Sequence, residues 1–359
     1  MMHGNKTIFF AKVCDYVFWG KLDYLGQMKT KATLKNISDM LQISISTVSR
    51  ALKDHPDIAE ATKKKVRELA EMMDYEPNAF AVYLRTNNSR LLGLIVPEIS
   101  NYFYHSFIAA AEEEARKLGY SLMILQSGNS AETEAANLRL CKLNRVAGIM
   151  VALSGSNKQD MLLFERLEET GIPIVFFDKV PDQQGFSAVT LADEQAAELA
   201  ASALLQKPRS QVLAILGDPQ LSITRKRQKA FQQTCKRLGT AKPPRIVHAH
   251  TRAEAFEAVK QAFAKKDKPD ALFCMSDEIL TGTMQALHEL GISYPEDLGL
   301  IAISNGFFPG LYNPVISYVE TSADLLGRVV FRSMIDRVVH QSLPREEIIE
   351  ARLVEGKSL

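Results

Sequence analysis

The chain has 359 residues, more than one core of ordinary size accommodates, so two or three domains are expected. Its 43 Lys and Arg almost cancel its 42 Asp and Glu, and the net charge of +1 excludes an overall field that would draw in nucleic acid or an acidic membrane. The scattered cysteines Cys14, Cys141, Cys235 and Cys274 read as reduced thiols, and with no secretory signal and no apolar window near the roughly 18 residues of a membrane span, a soluble, cytoplasmic chain without a membrane partner is expected.

Residues 1–27 carry apolar clusters such as Tyr16, Val17, Phe18 and Trp19 with neither helical nor strand periodicity. They read as an extension, with translation expected to start at Met28; a genuine N-terminal arm is the alternative. From Thr33 the pattern becomes regular. Thr33 is placed to N-cap a helix whose apolar positions Leu34, Ile37 and Leu41 recur at spacings of three and four. Gln42 and Ile43 break that stripe, and Ser44 can cap a second helix over 45–53 with Val48 and Leu52 turned inward. After the breaker Asp54, His55, Pro56, Asp57, a third helix over 61–74 buries Val66, Leu69, Ala70 and Met73. Residues 28–76 thus read as a three-helix domain.

With Val48 and Leu52 inward, Ile45, Ser46, Ser49 and Arg50 face outward from the second helix. Those side chains suit a DNA major groove: hydroxyls donate to base edges or phosphates, Ile45 meets a thymine methyl, and Arg50 can pair bidentately with guanine. Taken alone, such a face is also what an ordinary solvated helix presents. The run Ser44, Ile45, Ser46, Thr47, Val48, Ser49, Arg50, Ala51, Leu52, preceded by Thr33, Leu34, Lys35, Asn36, Ile37, resembles the reader of the lactose-repressor (LacI) family. The resemblance implies base contacts for Ile45, Ser46 and Arg50 and phosphate contacts for Thr47 and Ser49. Gln42 departs from it, standing where the family usually has a turn glycine. Residues 29–90 hold only eleven basic against eight acidic side chains, so phosphate anchoring depends on placement, with Lys63, Lys64, Lys65 and Arg67 as candidates.

Glu76, Pro77 and Asn78 end the third helix, and a short helix over 79–85 fits before the polar linker Thr86, Asn87, Asn88, Ser89. By the same resemblance residues 77–89 are a hinge helix and linker that orders on DNA, with Asn78, Ala81 and Leu84 as its DNA contacts and Leu84 wedging into the minor groove. Packing of Leu84 on the following domain is the alternative.

Beyond residue 90, apolar strands at 92–96, 121–125, 148–153 and 174–177 alternate with helical runs at 107–118 and 132–143. A second series, beginning near Val189, places strands at 212–216, 245–248, 271–274 and 300–303. This alternation implies two doubly wound parallel sheets, and ligands of such sheets bind beyond the C-terminal strand ends. The expected N-lobe is about 90–188 plus 320–341, and the C-lobe about 189–319 plus 342–359. Here the chain resembles, more loosely, LacI-family sensors, which are periplasmic-binding-protein-like. The fold class is therefore an α-helical helix-turn-helix DNA-binding domain plus an α/β two-lobe domain. The resemblance implies effector contacts at Asn101, Phe103, Asp178, Arg225, His250, Ser276, Asp277 and the pair Ser304, Asn305, which replaces the family's common Asp.

The run Arg352, Leu353, Val354 near the C-terminus continues into no heptad, so no tetramerising coiled coil is expected there. A homodimer on a near-palindromic operator is expected. GxxxxGK[ST], GxSxG and HExxH are all missing, and His248 and His250 have no carboxylate or Cys cluster in sequence, so neither enzyme activity nor a metal or cofactor is expected. The expected function is a DNA-binding transcriptional regulator, a repressor controlled by a small polar effector, a sugar or derivative. The alternatives are a carbohydrate-binding receptor without DNA function, a ligand-dependent activator, and an enzyme acting on a small carbohydrate.

Overall fold

The computed structural model describes residues 32–75, 89–154, 158–181, 185–240 and 242–359. Expectations that fall on residues 1–31 and 76–88, including the extension, the hinge and its Asn78, Ala81 and Leu84, lie outside them. The chain divides into two compact units, 1–88 and 89–359.

In the first unit, α1 (Leu34–Leu41), α2 (Ile45–Leu52) and α3 (Glu60–Met72) enclose a small core. Thr33 caps α1 reciprocally with Asn36, and Ser44 Oγ caps α2 by accepting from the Thr47 N–H at 3.0 Å. Ile37, Val48, Ala51 and Val66 are fully buried and Leu69 and Ala70 nearly so. Gln42 ends α1 in a left-handed conformation at φ 54°, the geometry for which glycine is the unstrained residue.

The second unit contains two six-stranded sheets. The first combines β1 (Leu91–Val96), β2 (Ser121–Gln126), β3 (Gly148–Val151), β4 (Ile174–Phe177), β5 (Ser187–Leu191) and β11 (Glu346–Ile349) in the order β11-β5-β4-β3-β1-β2. Every pairing in it is parallel. The second combines β6 (Val212–Leu216), β7 (Arg245–His248), β8 (Ala271–Cys274), β9 (Gly299–Ser304), β10 (Ser317–Glu320) and β12 (Arg352–Val354) in the order β12-β10-β9-β8-β6-β7. Only β12 runs antiparallel there.

Helices α4 (Tyr102–Lys117), α5 (Ala131–Leu143), α6 (Lys158–Glu169) and α11 (Ala323–Val339) belong to the first lobe. Helices α7 (Asp193–Leu204), α8 (Ser222–Arg237), α9 (Arg252–Phe263) and α10 (Asp277–Leu290) belong to the second. Strands buried on both faces explain the continuous apolar runs, such as the fully buried β3 and β6. Helices α4 and α11 approach so closely that a Cβ on Gly327 would come within 2.6 Å of the Phe107 carbonyl, and only glycine fits there.

The chain passes between the lobes at 191–193, 320–323 and 349–352. Two expected boundaries therefore move. The whole of β5, to Leu191, pairs with β4, so the first lobe runs past residue 188. Residues 346–349 return to the first sheet beside β5, so the final segment divides between lobes instead of belonging wholly to the second. Strands as short as β5 and β11 carry no local mark of the sheet they join.

Candidate functional site

The first unit presents one face of α2 outward. Ile45 is 46% exposed, Ser46 and Arg50 are exposed, and Thr47 and Ser49 are half-buried. Ser44 organises the start of the helix, its Oγ lying 2.7 Å from Ser46 Oγ and 2.8 Å from Thr47 Oγ1. Arg50 makes no ion pair among the described residues, so its guanidinium is available to an external acceptor. The basic cluster of α3 is arranged otherwise. Lys63 is buried and reaches Glu60 at 2.7 Å and Asp54 at 3.2 Å, while Arg67 reaches Asp54 at 2.6 Å. These cations hold Asp54, itself at φ 60°, and depress its carboxyl below the usual range, chiefly through the Lys63 hydrogen bond. Lys64 lies 3.9 Å from Glu68. Lys63 and Arg67 thus brace a turn, a correction to their reading as phosphate anchors; Lys65 alone of the four makes no ion pair among the described residues.

In the second unit the strand C-termini meet around a cleft of about 790 Å³. The first lobe contributes Pro97 to Asn101 after β1, Asn129 after β2, Ser154 after β3 and Lys179 after β4; the second contributes the 217–225 segment after β6, His250 after β7 and Ser276 after β8. Of the residues expected to meet an effector, Asn101, Arg225, His250 and Ser276 line this cleft. Asn101 and Ser276 also cap α4 and α10, which fixes their side chains. His250 is anchored through its backbone N–H, which donates to Glu254 Oε2 at 2.8 Å. The neighbouring His248 ring turns away to the Gly217 carbonyl at 2.8 Å.

The other expected contacts do not line the cleft. Phe103 packs on the first-lobe core, edge-on to Tyr104 at 5.4 Å. Asp178, at φ 57°, accepts from the buried Tyr104 hydroxyl at 2.6 Å, and burial together with that carboxylate drives the Tyr104 phenol pKa upward. Asp277 turns to β9, taking the Ser304 hydroxyl and the Asn305 N–H at 3.3 Å, and burial raises its pKa to about 6. Asn305 in turn donates to Ser106 of the opposite lobe at 3.3 Å. Alongside, Tyr102 of the first lobe stacks on Phe307 of the second at 4.5 Å and meets Phe308 edge-on at 5.4 Å. Asn305 therefore reaches across to the first lobe, while Asp277 braces it within the second by taking donors from the next strand-end loop. Behind the cleft, Arg227 donates to Asp193 at 2.9 Å and to the Met275 carbonyl at 2.9 Å, joining α7, α8 and the end of β8 in a buried ion pair.

Lys179, Tyr104, Asn129, Ser154, Asp218 and Gln220 line the cleft and were not singled out in the sequence. All but Tyr104 stand within a few residues of a strand C-terminus, and scoring every polar residue in that position would have found them. Among the described residues no helix is long and apolar enough to cross a membrane.

A family profile described as periplasmic binding proteins and sugar binding domain of LacI family matches residues 89–357, and one described as bacterial regulatory proteins, lacI family matches 33–78. The HTH-type transcriptional repressor PurR of Aliivibrio salmonicida (strain LFI1238) is 25% identical over 309 residues, covering 86% of this chain and 92% of the relative. The lac repressor dimer bound to operator and the anti-inducer ONPF superposes with a TM-score of 0.83 at 20% identity, over 92% of this chain and 99% of that one. A periplasmic binding protein/LacI transcriptional regulator from Alkaliphilus metalliredigens QYMF, complexed with D-xylulofuranose, gives a TM-score of 0.65 at 22% identity over 75% of this chain and 98% of that one.

Proposed function

The chain belongs to the LacI family of bacterial regulatory proteins, and from that premise we propose that it is a cytoplasmic, homodimeric repressor whose operator affinity is released by a small polar effector in the cleft. As a family member it is a DNA-binding regulator with an effector-binding domain, and not an enzyme. The observation that carries the reading is the outward face of α2, where Ile45, Ser46 and Arg50, which makes no ion pair among the described residues, stand together on a helix fixed by the Ser44 cap. Arg50 reads guanine, Ile45 a thymine methyl, and Thr47 and Ser49 anchor to phosphate. Asn78, Ala81 and Leu84 extend the contact into the minor groove, with Leu84 as the wedge.

A sugar or sugar derivative is the proposed effector, because the cleft wall mixes side-chain donors and acceptors in the way a polyhydroxyl ligand requires. Asn101, Arg225, His250 and Ser276 are its proposed contacts. Phe103, Asp178, Asp277, Ser304 and Asn305 shape the cleft from behind. Linkage requires the effector to prefer one arrangement of the lobes, and the release of operator follows only if that arrangement disfavours DNA binding.

Selection of bound duplexes from a random pool, run at two salt concentrations, tests the reader. Enrichment of a near-palindrome is expected, with affinity falling as salt rises. Arg50→Ala should relax base preference and Leu84→Ala should weaken binding; equal operator affinity in the wild type and both variants would overturn the assignment.

A further inference from the structure

We propose that the effector carries an anionic group, a phosphate or a carboxylate, clamped between Lys179 of one lobe and Arg225 of the other. The inference rests on the reading of the cleft as the effector site and gives that effector its chemical class.

Lys179 follows the left-handed Asp178, which turns the chain after β4 so that the next side chain faces the cleft. Its ammonium donates to Asn129 Oδ1 at 2.7 Å and makes no ion pair among the described residues, leaving two of its three protons to be met from the cleft. Burial favours the neutral amine, and the Asp178, Asp218 and Glu134 carboxylates oppose this only at longer range. A cation so placed gains most from an anion that arrives with the ligand.

Across the cleft, Arg225 sits in the first turn of α8, and its guanidinium donates to the Gln220 carbonyl and makes no ion pair among the described residues. The same turn has no side-chain cap and no acidic residue, so its backbone N–H groups and the helix dipole add to the positive potential. Lys179 and Arg225 line the same cleft from opposite walls.

The cleft carboxylates make no ion pair with these cations among the described residues, and each accepts a hydrogen bond from the protein. Asp218 accepts from the Gln220 N–H at 2.8 Å, Glu278 from the Arg252 N–H at 3.1 Å, and Glu98 from the Ser100 hydroxyl. Their remaining lone pairs suit ligand hydroxyls. The combination fits a monosaccharide-sized polyol with one acidic substituent: carboxylates for the hydroxyls, and the Lys179 and Arg225 pair for the charge. An anion held from both sides also favours the closed arrangement of the lobes.

The test is thermal-shift titration of the full chain with inorganic phosphate, glucose 6-phosphate, glucuronate and glucose at low ionic strength. Wild type, Lys179→Gln, Arg225→Gln and the exposed charge-matched control Lys236→Gln are compared. The expected result is stabilisation of wild type and Lys236→Gln by inorganic phosphate, with affinity about tenfold weaker in each cleft variant, the loss of one charge-assisted hydrogen bond. The two sugar derivatives then tell a phosphate ester from a carboxylate. Absence of any phosphate effect on wild type, equal effects in all four proteins, or glucose matching both charged sugars would overturn the proposal. Operator affinity measured beside each titration separates the two readings: anion binding at Lys179 that leaves operator affinity unchanged keeps the subsite and removes its regulatory role.

Discussion

The three-helix unit and the two-lobe unit are built on different logics. In the first, the side chains proposed to do the work follow one another on a single helix turn and its neighbour, and their exposure is set by Val48 and Ala51 packing on the other side. In the second, the cleft draws its lining from seven strand ends, and their orientation depends on ties between loops far apart in sequence. The lesson is that a contiguous site tolerates weak tertiary support, whereas a dispersed one is only as well formed as the buried bonds behind it.

The largest effect that could break this comparison concerns the pair behind the cleft. Arg227 and Asp193 are 5% and 7% exposed, and deleting the guanidinium leaves a buried carboxylate whose pKa burial already raises. Arg227→Ala should lower the stability of the two-lobe unit by about 3–5 kcal/mol, read as a reduced urea midpoint. An unchanged midpoint would mean that the cleft stands without this tie.

Next is Asp277. Its carboxyl rises from 3.8 to about 6, so the folded state holds the proton more tightly than the unfolded chain does. The resulting stability is fully present below pH 3.8 and is lost as pH rises through about 6, an effect on the order of 3 kcal/mol. Asp277→Asn should remove that dependence, so the variant gains on wild type as pH is raised from about 4 to 7 in paired denaturation curves. Parallel curves would show the Asp277 tie to be solvated.

In the reader, Arg50→Ala should cost about 1–3 kcal/mol of discrimination at one base pair while leaving the melting of the unit nearly unaltered, checked by binding to single-substituted operators. Loss of folding instead would show that the reader face, too, depends on tertiary ties. The smallest expected effect is at the turn between α1 and α2. Gln42→Gly relieves a left-handed residue and should stabilise the three-helix unit by about 0.5–1 kcal/mol in thermal melts.

Much of the architecture was legible because it is local. The caps at Thr33 and Ser44, the inward positions Ile37, Val48 and Val66 of the three helices and the strands at 174–177, 212–216 and 271–274 follow from periodicity and hydrogen-bonding chemistry within a few residues. Helix starts were less legible: α4 begins at Tyr102, where the consecutive aromatics Tyr102, Phe103 and Tyr104 carry no helical spacing, so the sequence places the start at residue 107.

The amino-acid sequence by itself determined the element types, the outward face of α2 and the polar residues gathered after the strands, since each depends on neighbours at fixed spacing. Tertiary structure alone decided which of those polar residues share the cleft. Asp178 was claimed by Tyr104, 74 positions away, and Asp277 by Ser304, 27 away, while Lys179, one position beyond Asp178, kept its amine on the cleft. Lys63, which reads as a candidate phosphate anchor, was drawn into the Asp54 turn. The physical reason is the same in each case. A buried charged or polar group takes whichever partner the packed chain brings within hydrogen-bond reach, and sequence spacing does not encode that distance.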